Sequence, residues 1–303
     1  MSLRLGTRGS PLALLQAEMV RSALLAAHGW DETRVVIVPI STRGDRDRVR
    51  PLTEMGGKAV WTKELDRALL AGETDASVHS MKDVESERPD GLGIAAMLER
   101  ADPRDRLIGP DSFDALREGA SIGTASPRRA AQVKALRPDL VTDLLRGNVA
   151  TRIEAVEQGR FDATLLAAAG LDRLGLHHVG TPVAPEVMLP APSQGAIGID
   201  ARSGDAATRE ALAAIDHRDT HDAVDLERAF TAALGGDCHS PVAAHAEWSG
   251  DMARFRCELL SEDGADRIAR ETSLRRGATD EAADLARTML AEAPASIARL
   301  FDA

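Results

Sequence analysis

The sequence predicts an α/β protein: two similar sheet-and-helix halves with a cleft between them, followed by a smaller α+β unit. Three observations carry this expectation. Short apolar runs alternate with helical patterns through the first third of the chain. A pair of segments recurs in the same order in both halves. From Val242 onward the pattern becomes an apolar–polar alternation closed by one helix. The 303 residues suit two or more domains without disulfide staples, and 44% hydrophobic with 28% charged residues excludes a disordered chain.

Taken in order, Leu3 to Gly6 reads as a strand, Ser10 as an N-cap and Pro11 as the first helical residue, with Leu15, Met19 and Ala23 supplying an apolar stripe. Val35 to Ile40 reads as a buried strand, Lys63 to Leu70 as a helix, and Ala76 to His79 and Gly93 to Met97 as strands. The charged run Glu99 to Asp105, with Pro103, marks the exit from the first half. In the second half Leu140 to Leu145 and Phe161 to Ala167 are strands, and Arg152 begins the helix between them. Pro190 to Gln194 marks the return, where Gly195 to Asp200 reads as a strand and Thr208 to Ile215 as a helix. A charged linker, Asp216 to Asp222, leads into the third unit. There Val242, Ala244, Ala246 and Trp248 alternate with polar neighbours, Phe255, Cys257 and Leu259 share a strand face, and Thr279 caps a helix. The expected domains are 1–98 with 195–217, then 99–194, then 218–303.

The internal echo points to function. Gly6-Thr7-Arg8-Gly9-Ser10-Pro11 is echoed by Gly123-Thr124-Ala125-Ser126-Pro127, and Gln16 by Gln132. Gly72-Glu73-Thr74-Asp75-Ala76 is echoed by Gly159-Arg160-Phe161-Asp162-Ala163. Each half thus offers a Ser-Pro helix start whose free N–H groups favour an anion, with Arg8 before one cap and Arg128 and Arg129 after the other. Arg146, Arg152 and Arg173 also follow strand ends. Such a site suits a ligand with many carboxylates, which the planar arginine fork grips bidentately.

A formal net charge of -11, with no basic block, argues against nucleic acid. Of 37 basic residues only Lys58, Lys63, Lys82 and Lys134 are lysines. No apolar run is long enough to span a membrane and no signal is read at the N-terminus, so a cytoplasmic protein is expected. Met55-Gly56-Gly57-Lys58 lacks the remainder of a P-loop, and the metal-binding patterns His-Glu-x-x-His and Cys-x-x-Cys are missing, so no metal is expected. Cys257 reads as a core thiol. Cys238, in the aperiodic Gly235-Gly236-Asp237-Cys238-His239-Ser240-Pro241, is a candidate attachment or nucleophilic site. His79, Ser80, Lys82 and Asp83 gather where a strand ends. A carboxylate beside a lysine there can hold a proton near a leaving group or stabilise a developing cation.

At these residues the chain resembles the porphobilinogen deaminase (hydroxymethylbilane synthase) family. The resemblance runs from Leu5 to about Val242 and more weakly to the C-terminus. It is carried by Thr7-Arg8-Gly9-Ser10-Pro11-Leu12-Ala13, His79-Ser80-Met81-Lys82-Asp83-Val84, Leu145-Arg146-Gly147-Asn148-Val149, Gln194-Gly195-Ala196 and Gly235-Gly236-Asp237-Cys238. It implies two domains similar to those of periplasmic binding proteins plus a third bearing a cofactor cysteine. The implied activity is that of a monomeric transferase. A dipyrromethane, joined to Cys238 as a thioether, would be extended by four porphobilinogen units with loss of ammonia before water releases hydroxymethylbilane.

The resemblance assigns Asp83 as the catalytic carboxylate, stabilising a positively charged azafulvene-like intermediate. It gives Lys82, Thr124, Ser126, Arg128 and Arg129 to the cofactor acids, and Arg8, Ser10, Arg146 and Arg152 to the incoming unit. Lys58 and Arg173 match positions of chain binding or translocation. The chain departs from the family where Ala59, Val60 and Trp61 replace a frequent Gly-Leu-Phe, where Ala125 replaces a serine, and where His239-Ser240 follows the cysteine. A solute-binding protein for a small polycarboxylate is the competing reading. Asp83, which would repel such a ligand, and Cys238 speak against it.

Overall fold

The computed structural model describes residues 2–42, 59–235 and 240–301, with side chains from residue 61 in the second range. In chain order the first elements are β1 (Leu3–Arg8), α1 (Pro11–His28), β2 (Val35–Ile40), α2 (Ala59–Leu70), β3 (Ala76–Ser80) and β4 (Leu92–Met97). Next come β5 (Asp105–Ile108), β6 (Ser121–Gly123), α3 (Pro127–Leu136), β7 (Val141–Asp143), α4 (Val149–Glu157), β8 (Ala163–Ala167), α5 (Ala168–Arg173) and β9 (Thr181–Pro182). The chain closes with β10 (Ile197–Arg202), α6 (Ala206–Ala213), α7 (Arg218–Ala233), β11 (Val242–Ser249), β12 (Met252–Leu260), β13 (Arg267–Arg275), α8 (Thr279–Glu292) and α9 (Ala295–Ala298). It forms two compact units, Met1–Ala101 with Gly195–Asp222 and Asp102–Gln194 with Ala223–Ala303.

The echo is architectural. The first unit holds a sheet ordered β2-β1-β3-β10-β4, and the second a sheet ordered β7-β6-β8-β5-β9. In each, the two strands flanking the inner β1 or β6 run parallel to it, and the fourth runs antiparallel to the third. Both Ser10 and Ser126 cap the helix that follows, their hydroxyl oxygens accepting from Ala13 and Arg129 N–H. Gly72 and Gly159 take the same left-handed turn, φ 71° and 68°, ahead of β3 and β8.

Several details differ from expectation. The buried face of α1 is Ala13, Gln16, Ala17, Val20 and Leu24, while Leu15 and Met19 are 41% and 43% exposed. Spacings of four drift about 40° per step around a helix, whereas the 4-3-4 spacing from Ala13 to Leu24 stays on one face. β2 is an edge strand with Val36 outward, not a buried one. Arg152 lies inside α4, which starts at Val149 under an Asn148 cap. α6 begins at Ala206, capped by the Asp205 carboxylate. The Asp216–Asp222 stretch is largely the first turns of α7. Its apolar residues, Ala223, Val224, Leu226 and Phe230, begin only after that polar start. Thr279 is the first residue of α8 and makes no capping bond.

The three-stranded sheet β11-β12-β13 buries its own core against α7 and α8, with Phe230 and Phe255 edge to face at 5.6 Å. Phe255, Cys257 and Leu259 share the buried face as the alternation requires. Burial pushes the Cys257 thiol up to about 12, so it is a packing group and no nucleophile. The β12–β13 turn sits directly on α3. At Gly264, φ +70°, a Cβ would lie 2.4 Å from the Ala131 carbonyl oxygen.

Candidate active site

In the first unit β3 runs into a 3-10 turn, Met81–Asp83, closed by Val84 N–H donating to the Met81 carbonyl at 3.1 Å. The turn is pinned from beneath because Met81 is buried against Gly198 of the antiparallel β10. Asp83 lines a pocket with Arg8, Gln16, Trp61, Thr62, His79 and Ser80. Gln16, the buried polar member of α1, places its Nε2 2.8 Å from Ser80 Oγ. The Arg8 guanidinium lies 3.8 Å from the centroid of the Trp61 ring, a cation–π contact for which tryptophan is the best partner. The Trp61 departure is therefore a working part of the wall.

Behind the pocket lies a buried charge network. Arg88 contacts Asp66 and, at 2.6 Å, Asp200, which in turn lies 3.3 Å from His79 Nε2. Burial pushes the Asp66 carboxyl up; it does the same at Asp200, but hydrogen bonding and attraction from His79 and Arg88 outweigh it and hold that carboxyl down. Asp66, His79 and Asp200 could together ligate a metal. The Arg88 guanidinium already supplies a cation to both carboxylates.

In the second unit Thr124 Oγ1 accepts from Ser126 N–H at 3.1 Å and Ser126 Oγ from Arg129 N–H at 3.4 Å. Each hydroxyl keeps its own proton for an acceptor. Arg128 and Arg129 are buried side by side, and one carboxylate, Asp105, holds both at 2.8 and 2.7 Å. Gln194 adds a third donor to Asp105 at 2.8 Å. Burial alone would raise the Asp105 carboxyl; the two guanidiniums outweigh it and hold that group far below the usual carboxylate range. The Nε–H groups of Arg128 and Arg129, and Nη1 of Arg146, are buried and meet no acceptor among the described residues. Two cations against one anion, with unsatisfied donors beside two hydroxyls, are the complement of a ligand rich in carboxylates.

Arg152 Nε donates to the Gly147 carbonyl at 3.0 Å, across a turn where a Cβ on Gly147, φ +124°, would strike Thr151 at 2.8 Å. Arg173 ends α5, where burial pushes its guanidinium down to about 10, still charged at neutral pH. Lys58 and Cys238 lie outside the described residues.

The family model described as "Porphobilinogen deaminase, dipyromethane cofactor binding domain" matches residues 3–210, and "Porphobilinogen deaminase, C-terminal domain" matches 222–294. The chain belongs to the porphobilinogen deaminase family. It is 56% identical over 307 residues to the porphobilinogen deaminase of Sphingopyxis alaskensis, covering 99% of this chain and 96% of that one. The identity to the Paracoccus denitrificans protein of the same name is 48%, covering 97% and 95%. Among solved structures it is similar to the methionine-binding protein MetQ, 11% identical with a TM-score of 0.44, covering 73% of this chain and 92% of that one. A periplasmic substrate-binding protein of a Coxiella burnetii ABC transporter is 16% identical with a TM-score of 0.45, covering 75% and 95%. The chain is thus an enzyme of tetrapyrrole synthesis carrying the family's dipyrromethane-binding domain, and the orphaned donors of the two arginines fit that cofactor's acid groups.

Within the first unit the structure brings Arg8 and Asp83 to one pocket, with Lys82 in the same 3-10 turn and Ser10 at the cap beyond β1. Within the second it brings Thr124, Ser126, Arg128 and Arg129 to one strand end. Sequence reading missed Asp105, placed in a linker although it opens β5, and Gly198. A Cβ on Gly198 would lie 2.1 Å from Met81 Sδ. Gly198→Ala is therefore expected to lower stability by about 1–3 kcal/mol, and kcat by at least roughly tenfold as the turn bearing Asp83 shifts. Urea unfolding alongside steady-state kinetics checks both.

Proposed function

We propose that this chain is a hydroxymethylbilane synthase, a transferase that condenses four porphobilinogen molecules head to tail on a dipyrromethane joined to Cys238. It releases ammonia at each addition and linear hydroxymethylbilane by hydrolysis. The observation that carries the reading is the Asp83 carboxylate in a pocket shared with Arg8. When bound, the dipyrromethane would supply the free pyrrole carbon to which the first unit is joined, each later unit joining the one before it. Arg128 and Arg129, with Thr124, Ser126 and Lys82, would hold its carboxylates; Asp105 keeps the two guanidiniums together without cancelling their combined charge.

Arg8, Ser10, Arg146 and Arg152 would orient the acid side chains of the incoming porphobilinogen. Asp83 would assist loss of its amine and stabilise the positive charge left on that pyrrole, an electrostatic role for a preorganised carboxylate. Lys58 and Arg173 would bind the lengthening chain. A three-domain division at 1–98 with 195–217, 99–194 and 218–303, a monomeric state and a cytoplasmic location complete the proposal; among the described residues no helix is long and apolar enough to cross a membrane.

Intact mass before and after brief exposure to porphobilinogen tests it. A dipyrromethane on Cys238 followed by a ladder of pyrrole increments is expected. Cys238→Ala should fold but carry no cofactor and turn over nothing. An unmodified wild-type mass in folded protein expressed with cofactor precursors available would return the chain to the polycarboxylate-binding reading.

A further inference from the structure

We propose that Glu258 and Gln132 are positioning residues that orient Arg128 for the cofactor's carboxylates. The proposal rests on the cofactor-binding reading of Arg128. Glu258 is 1% exposed on β12, and Gln132 is buried on α3 one turn beyond Arg128. Arg128 Nη1 donates to Gln132 Oε1 and to the Leu189 carbonyl, both at 2.8 Å. Gln132 Nε2 donates to that same carbonyl at 2.9 Å and to Glu258 Oε1. The other Glu258 oxygen accepts from Arg267 Nε at 2.7 Å.

The order of these groups has a chemical reason. A carboxylate only accepts, so Glu258 selects the amide orientation that turns NH2 toward itself and leaves the Gln132 oxygen facing Arg128. Arg128 thereby receives a neutral acceptor. Asp105 remains the carboxylate holding Arg128 and Arg129, and one positive charge is left for a ligand. A second carboxylate at position 132 would cancel it.

The same chain of bonds senses the seating of the third sheet. The β12–β13 turn rests on α3 through Gly264, and Lys134 Nζ donates to the Glu262 carbonyl at 3.4 Å. Glu258 therefore lies where it must be for Gln132 only when that hairpin is docked.

The test uses cofactor-free full-length protein, with porphobilinogen as probe and intact mass following assembly. Glu258→Gln is expected to slow assembly about tenfold, the scale of one charge-assisted hydrogen bond, with the folded fraction unchanged by circular dichroism. The double variant Gln132→Glu/Glu258→Gln keeps one amide against one carboxylate but moves the charge next to Arg128. The new carboxylate also meets the Leu189 carbonyl where the amide had donated, so some loss of urea stability is expected; the variant stays folded by circular dichroism and still assembles slowly. Assembly by Glu258→Gln within about twofold of wild type, or by the double variant at the wild-type rate, overturns the proposal. Arg128→Ala separates the two levels. Impaired assembly there with normal Glu258→Gln sinks only this inference, whereas normal assembly in both sinks the reading on which it rests.

Discussion

Asp83→Asn is expected to bind cofactor normally and to lose about a hundred- to a thousandfold in kcat, the scale of removing one preorganised electrostatic group from a reacting centre. The substitution preserves shape, so Met81 stays under Gly198 and the 3-10 turn keeps its Val84–Met81 bond. What it removes is the negative charge that, in the proposed mechanism, would face the pyrrole losing ammonia. The arginines proposed to grip the carboxylates are untouched, so KM should change far less than kcat, the pattern of an interaction made in the transition state alone. Single-turnover mass spectrometry reads this directly: the first pyrrole increment should appear slowly on fully loaded protein. A ladder forming within about tenfold of the wild-type rate would remove Asp83 from the chemistry.

How much of this was legible in the sequence follows from the range of the forces involved. The Ser10 and Ser126 caps, the strand end before Met81–Asp83 and the two-fold echo rest on local patterns, and the structure has each of them. Capping and periodicity act over a turn or two of chain, so they can be read residue by residue. Asp105 could not be. In Asp102-Pro103-Arg104-Asp105-Arg106 a charged run with a proline reads as linker, yet Asp105 opens β5, which pairs with β8 and β9, while Arg128, Arg129 and Gln194 converge on its carboxylate from elsewhere in the chain. Gln132 and Glu258 meet across 126 residues, and neither flank carries a pattern that pairs them. The α1 stripe failed for a different reason. Leu15 and Met19 are apolar but exposed, and the face that packs mixes the small Ala13 and Ala17 and the polar Gln16 with Val20 and Leu24. Hydrophobicity alone misplaces such a face, because close packing on the sheet selects size as well as polarity.

Replacing Asp105 should be the most costly change in the second unit. Asp105→Asn is expected to lower stability by about 3–5 kcal/mol, the cost of leaving buried charge uncompensated, and to abolish cofactor loading. The two guanidiniums donate to different oxygens of the carboxylate, so in the amide the NH2 group would face one of these donors. The effect should depend on pH in a determined direction. Attraction from Arg128 and Arg129 overcomes burial and keeps the folded-state carboxyl ionised well below its ordinary range. The unfolded chain therefore takes up the proton first as pH falls. The contribution is fully present above the unfolded aspartate pKa of about 3.9. Below it, stability drains by about 1.4 kcal/mol per pH unit until the folded carboxyl also titrates. Urea unfolding of wild type and variant should thus show a constant gap from pH 7 to about 5 that narrows below roughly pH 4. A gap under about 1 kcal/mol, flat with pH, would instead mean that the Leu165 and Leu189 carbonyls, at 2.7 and 2.8 Å from Arg129 and Arg128, suffice to hold the two cations side by side.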